Sequence, residues 1–139
     1  MPAFGKASRE RLATCDPALI EIMEEAIKHH DFTIVCGHRG KEDQDKAVAE
    51  GKSKRPWPTS AHNSLPSKAV DIAPFDAGTN ALLWGRSPAE RERFSRLAGL
   101  IEGIAVAKGY RIIWGGDFDM DENTAEGDSW DMPHIELVG

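Results

Sequence analysis

Two stretches of this chain bring histidines and acids together at spacings that suit hydrolysis. They are Ser60-Ala-His62-Asn-Ser-Leu-Pro-Ser-Lys-Ala-Val-Asp71 and Asp131-Met-Pro-His134-Ile-Glu136. Together they offer two imidazoles, a carboxylate ligand and a spare carboxylate. A hydrolytic zinc centre needs that inventory: three protein ligands, one position left for water, and a base to take the water's proton. Asp71 lies in a strand pattern between Val70 and Ile72, so its side chain points away from both. A carboxylate there needs a cation, hydrogen-bond donors or a metal. Taken alone, His62 and Asp71 read equally well as a solvated loop histidine and a carboxylate bound to an amide or an arginine. The second stretch tips the balance toward metal. Asp131, three residues before His134 and separated from it by the rigid Pro133, is placed to act as a general base beside a metal without binding it. Glu136 shares the strand face of His134. It can fix the imidazole tautomer, but the simpler reading is an exposed strand carboxylate.

The elements that must position these residues are legible in outline. Asp16 reads as an N-cap, with Pro17 at the first helical position. The stripe Leu19, Ile20, Met23, Ala26 and Ile27 then runs to surface histidines His29 and His30. Phe32–Cys36 reads as a buried strand, and a turn containing Gly37 and Arg39 feeds a short helix ending at Glu50. Residues 51–68 form a long loop, and long loops in small domains often carry function. A short strand spans 68–74. Ser87-Pro88-Ala-Glu90 reads as a capping box opening a helix with Phe94, Leu97, Ile101, Ile104 and Ala105 on one face, stopping at Gly109. Gly99 and Gly103 mark close packing of this helix against a sheet. Tyr110–Trp114 and His134–Val138 are the last strands. Helices and strands intermix without regular alternation, which indicates an α+β fold with a small, mainly antiparallel sheet and flanking helices.

The chain has 139 residues, a net charge of −6 and 40% hydrophobic residues, the profile of one soluble domain spanning 1–139. The acidic balance argues against a nucleic-acid partner and against reading His62-Asn63 as part of a His-Asn-His nuclease. No segment has the apolar length of a membrane span, and the first residues lack the apolar core of a Sec leader. Cys15 and Cys36 lack CxxC spacing and read as small buried hydrophobes, with a disulfide between them left open.

In order along the chain stand Gly37-His-Arg39 with Gln44, Ser60-Ala-His62, Ala69-Val-Asp71 and Asp131-Met-Pro-His134. This set resembles the zinc peptidases that include D-Ala-D-Ala carboxypeptidases, vancomycin-resistance dipeptidases and phage L-alanyl-D-glutamate endopeptidases. The resemblance implies a Hedgehog/D,D-peptidase-like fold, zinc held by His62, Asp71 and His134, and Asp131 as base. It also implies that Arg39 binds substrate and stabilises the oxyanion. Gln44 supports Arg39 or a helix cap, and with Ser60 and Trp130 it is a candidate for substrate contact. Relatives often carry a shorter His-x-x-Gly-x-Ala-x-Asp. The longer spacer with Pro66-Ser67, and Trp114-Gly-Gly-Asp117 before the last motif, are similar to the phage lysin branch.

That branch implies hydrolysis of the L-Ala-D-Glu bond of peptidoglycan stem peptides by a monomer. The protein would be made in the cytoplasm and would reach the wall after a holin opens the membrane. Two alternatives stay open: a D,D-carboxypeptidase or dipeptidase acting on D-Ala-D-Ala, and a non-catalytic zinc domain of the same fold. Asp117, Asp119, Asp121 and Asn123 alternate like the start of an EF-hand calcium loop. Glu122 at the glycine position and Asp128 at the twelfth weaken that match, so the segment reads as a solvated acidic loop or a calcium site. Trp114 reads as core, and Trp57 and Trp130 as cleft or packing residues.

Overall fold

A computed structural model describes residues 2–116 and 131–139. The chain forms α1 (Lys6–Leu12), α2 (Pro17–Ala26), β1 (Phe32–Cys36), α3 (Lys41–Ala49), a short 3-10 helix (Ala61–Asn63), β2 (Ala69–Asp76), β3 (Ala81–Leu82), α4 (Pro88–Lys108), β4 (Ile112–Trp114) and β5 (His134–Leu137). The pairings between these strands are antiparallel, in the order β1-β2-β5-β4, with β3 added to the far end of β2. The α+β architecture expected from the sequence is present.

Alternation along the strands separates the core from the site. Phe32 and Ile34 of β1, Val70 and Ile72 of β2 and Ile135 of β5 join Leu19, Ile22 and Met23 of α2 and Phe94, Leu97 and Ile101 of α4 in one buried cluster. Each such aliphatic or aromatic side chain contributes roughly 1.5–3 kcal/mol by leaving water. Asp71, between Val70 and Ile72, is left on the opposite face. The Asp16 side chain accepts from Ala18 N at 2.9 Å, with Pro17 next to it, as the cap pattern demands.

Several details depart from the sequence reading. Helix α1 precedes the first expected helix, and the two-residue β3 was not anticipated. α2 ends at Ala26, so His29 and His30 lie beyond it, and His29 pairs with Glu25 at 2.8 Å. Ser87 Oγ accepts from Glu90 N, but the Glu90 carboxylate accepts from Trp84 N at 2.9 Å instead of closing the box on Ser87. A Cβ added at Gly99 or Gly103 meets nothing within 4 Å, so these glycines do not mark close packing. Both cysteines are free.

Candidate active site

A single row across three strands assembles the site. Asp71 of β2 lies directly opposite His134 of β5 on one side and Cys36 of β1 on the other. Residues facing each other across an antiparallel ladder project to the same face, so three positions far apart in sequence converge there. Cys36 reaches this face because the β1–β2 register shifts between Ile34 and Cys36. That bulge turns Cys36 away from the core side taken by Phe32 and Ile34, a common way to re-aim a side chain beside a site. The expectation that Cys36 is a small buried hydrophobe is therefore corrected: it is half-buried at the site. Simple strand alternation conceals this, and only the bulge reveals it.

His62 arrives from the long loop. Ser60 caps the 3-10 helix, its hydroxyl accepting from His62 N at 3.2 Å, while Asn63 Oδ1 accepts from Ser60 N at 3.0 Å. The His62 carbonyl accepts from Arg39 N at 2.8 Å, and the His62 ring places Nδ1 2.7 Å from the Gly37 carbonyl. Gly37 has to be glycine: an added Cβ would lie 2.4 Å from both the Arg11 carbonyl and Thr14 Oγ1. On the other side, Trp114 Nε1 donates to the Met132 carbonyl at 2.7 Å and Asp131 N donates to the Gly115 carbonyl at 3.1 Å. A Cβ on Gly115 would fall 2.0 Å from the Asp131 carbonyl oxygen, so that approach also depends on glycine. Trp114 is core, as expected.

The two imidazoles meet on one oxygen. His62 Nε2 lies 3.2 Å and His134 Nδ1 3.4 Å from Asp71 Oδ1, and the rings stand 5.2 Å apart. Four ligands about 2.0–2.1 Å from a tetrahedral ion are spaced about 3.3–3.4 Å from one another, so these separations suit one metal ion. The outward nitrogens fit as well. His62 Nδ1 faces the Gly37 carbonyl and His134 Nε2 faces Glu136 Oε1 at 2.9 Å, so the inward nitrogens are the ones whose lone pairs a metal would take on displacing their protons. Ligand atoms of Cys36, His62 and Asp71 also lie within 4.8 Å of one another, a group that could hold a metal ion. Glu136 is thus a partner of His134, not the exposed carboxylate of the simpler reading.

Burial disfavours charge on both imidazoles, but the Asp71 carboxylate outweighs it. The Asp71 charge and hydrogen bond draw His62 up to about 10, and hydrogen bonds to Asp71 and Glu136 draw His134 up to about 9. Burial pushes Asp71 upward, yet the two histidines hold it well below the usual carboxylate range. Asp131 Oδ2 stands 3.9 Å from His134 Nδ1. Burial first, then the Asp71 charge, pushes Asp131 up to about 6 against the pull of His134, His62 and Arg39. Such a carboxylate is ionised at neutral pH and is a stronger base than a free one.

Arg39 Nη2 lies 3.4 Å from Asp71 Oδ2 and 3.8 Å from Cys36 Sγ. Its Nη1 donates to Gln44 Oε1 at 3.0 Å. Gln44 is fully buried; it also accepts from Asn63 Nδ2 and donates to Ser53 Oγ and to the Arg55 carbonyl. Ser60 lines the cleft with its hydroxyl engaged at the cap. Trp130 and the calcium candidates Asp117, Asp119, Asp121 and Asn123 lie outside the described residues. The cleft has two arms that share Arg39, Lys52, Asp71 and Asp131. One, about 800 Å³, runs past Lys54, Arg55 and Glu136; the other, about 700 Å³, runs past Asp43, Trp84 and Arg86.

The chain as a whole has counterparts among known proteins. The family model of the phage L-alanyl-D-glutamate peptidases matches residues 2–138. The chain belongs to that family. It is 28% identical over 141 residues to the L-alanyl-D-glutamate peptidase of Escherichia phage T5, covering 97% of each chain. Its fold is that of the L-Ala D-Glu endopeptidase ChiX from Serratia marcescens, with a TM-score of 0.72 at 22% identity, over 99% of this chain and 91% of the other.

Proposed function

We propose that this protein is a zinc-dependent endopeptidase of peptidoglycan that hydrolyses the L-Ala-D-Glu bond of stem peptides. The observation that carries this reading is the shared Asp71 oxygen, faced by His62 Nε2 and His134 Nδ1 with Asp131 alongside. His62, Asp71 and His134 would hold the ion, a donor set that leaves one position open in catalytic zinc sites. Zinc, when bound, supplies Lewis-acid polarisation of a carbonyl and acidification of water.

The residues of the chain do the rest. Asp131 accepts the proton of the attacking water and delivers it to the leaving amine. Arg39, fixed between Gln44 and Asp71, holds the substrate carbonyl and the negative charge that develops on it. Ser60 and Gln44 position His62 and Arg39. Two cleft arms meeting at Asp71 and Asp131 let substrate extend on both sides of the cut bond, which suits an endopeptidase better than removal of a terminal D-Ala. Among the described residues no helix is long and apolar enough to cross a membrane. A lytic protein of this kind acts on the wall as a monomer, after a holin-type partner opens the membrane. Purified peptidoglycan digested with the protein and analysed by mass spectrometry tests the reading: stem peptides beginning at D-Glu support it, and removal of only the terminal D-Ala refutes it.

A further inference from the structure

The two arms of the cleft carry different charge. In the arm past Trp84, Lys46 and Arg86 are balanced by Asp43 and Glu50. Among the described residues, the other arm adds Lys54 and Arg55 to the shared Lys52, which pairs with Glu50 at 3.1 Å, and sets them against Glu136, which is engaged by His134 at 2.9 Å. Among the described residues that the arms do not share, this one carries one more cation than acid and the other carries equal numbers, a directional feature in a chain of net charge −6.

This basic segment is also held in place. Lys52 N and Ser53 N both donate to the Ala47 carbonyl, at 2.8 and 3.2 Å. Gln44 Nε2 donates to the Arg55 carbonyl at 2.6 Å and to Ser53 Oγ at 3.0 Å, while Gln44 Oε1 accepts from Arg39 Nη1 at 3.0 Å. One buried amide therefore sets the position of both Arg39 and the basic segment. Preorganised cations of this kind bind a carboxylate without first losing loop entropy.

An L-Ala-D-Glu substrate has matching asymmetry. The D-Glu that supplies the leaving amine carries a free α-carboxylate next to the cut bond, and the peptide beyond it carries further carboxylates. The L-Ala side is uncharged. We propose that the Lys52–Arg55 segment, with Arg55 as its chief contact, binds the carboxylates on the D-Glu side. It thereby fixes the direction in which the stem peptide lies and favours D-Glu over its α-amidated form. This inference rests on the L-Ala-D-Glu reading.

The test uses zinc-loaded protein and two soluble muropeptides, identical except for D-Glu or D-isoglutamine at the second position. The wild type should cleave the D-Glu substrate with kcat/KM about five- to tenfold higher, the difference lying in KM and shrinking at high salt. Arg55→Gln should bring the ratio to about one with kcat unchanged, Arg55→Lys should retain it, and Arg55→Glu should reverse it. Arg55 is exposed and its backbone carbonyl, not its side chain, meets Gln44, so these variants keep the fold. Equal cleavage of both substrates by the wild type, or an unchanged ratio in Arg55→Gln and Arg55→Glu, overturns the inference and leaves the proposed function standing. Cleavage of neither substrate refutes the proposed function itself.

Discussion

Glu136 Oε1 lies 2.9 Å from His134 Nε2, two residues along the same strand. With Nε2 committed outward as a donor, His134 Nδ1 faces Asp71, 3.4 Å away, and is the nitrogen that a cation would take once its proton leaves. The hydrogen bond to His134 first, with help from the Arg55 charge, holds the Glu136 carboxyl below its usual range, so it accepts at neutral pH. Outer partners of this type govern metal affinity as well as orientation.

Glu136→Ala should therefore weaken zinc binding about 10- to 100-fold, measured by competition with a chromogenic chelator. Circular dichroism should stay native, because the residue is half-buried at the edge of the cleft. Unchanged zinc affinity would remove Glu136 from the site.

On the proposed function, Asp131 separates binding from chemistry. Asp131→Asn should keep one zinc per chain and lower kcat by at least about 100-fold, the range of a lost general base. The pH profile carries the same signature. A base must be deprotonated, so kcat/KM rises with pH through the acidity of Asp131, which burial and the Asp71 charge push up to about 6. A bound cation favours the carboxylate form, placing that acidic limb at or below about 6. The limb should vanish in Asp131→Asn; its persistence there would assign the base elsewhere.

Metal and protons compete for the same nitrogens. Without an ion, the Asp71 charge overcomes burial and draws His62 up to about 10, while hydrogen bonds to Asp71 and Glu136 draw His134 up to about 9. Zinc needs both imidazoles neutral, so apparent affinity should fall as pH drops below about 10 and more steeply below about 9, roughly tenfold per unit for each proton displaced. Calorimetry in buffers of different ionisation enthalpy should show protons released on binding. Binding with no proton release at pH 7 would contradict the protonated resting pair.

Gln44 makes hydrogen bonds to Arg39, Asn63, Ser53 and Arg55 from a fully buried position. Gln44→Leu leaves these groups without their partner and should cost about 1–3 kcal/mol for each polar group that water cannot reach. Thermal unfolding should show the loss. KM should rise as Arg39 and the 52–55 segment lose their common anchor, and a melting temperature equal to wild type would show that the network contributes little.

The chain disclosed more of its chemistry than of its local packing. Asp71 was legible because a carboxylate between Val70 and Ile72 has nowhere to point but the face away from the core. Asp16-Pro17 and Gly109 marked helix ends because capping depends on a few local atoms. Cys36 departs from its sequence pattern because its orientation depends on a bulge fixed by pairing with β2, and no local pattern encodes a register shift. Glu136 is ambiguous in sequence for a similar reason: a strand-face carboxylate has the same sequence signature whether or not an imidazole reaches it. The misplaced packing role of Gly99 and Gly103 came from spacing alone, which does not say what lies opposite. The role of Gln44 depends on four partners spread from Arg39 to Asn63, a geometry that only the folded loop creates.

The proposed function requires that His62, Asp71 and His134 hold zinc and that the protein cuts next to L-Ala. Metal analysis of the purified protein alongside mass spectrometry of digested peptidoglycan tests it most directly. The account predicts one zinc per chain, lost in His62→Ala and His134→Ala together with activity, and release of peptides whose new N-terminus is D-Glu. Undiminished release by the metal-free protein, or products lacking only a terminal D-Ala, would contradict it.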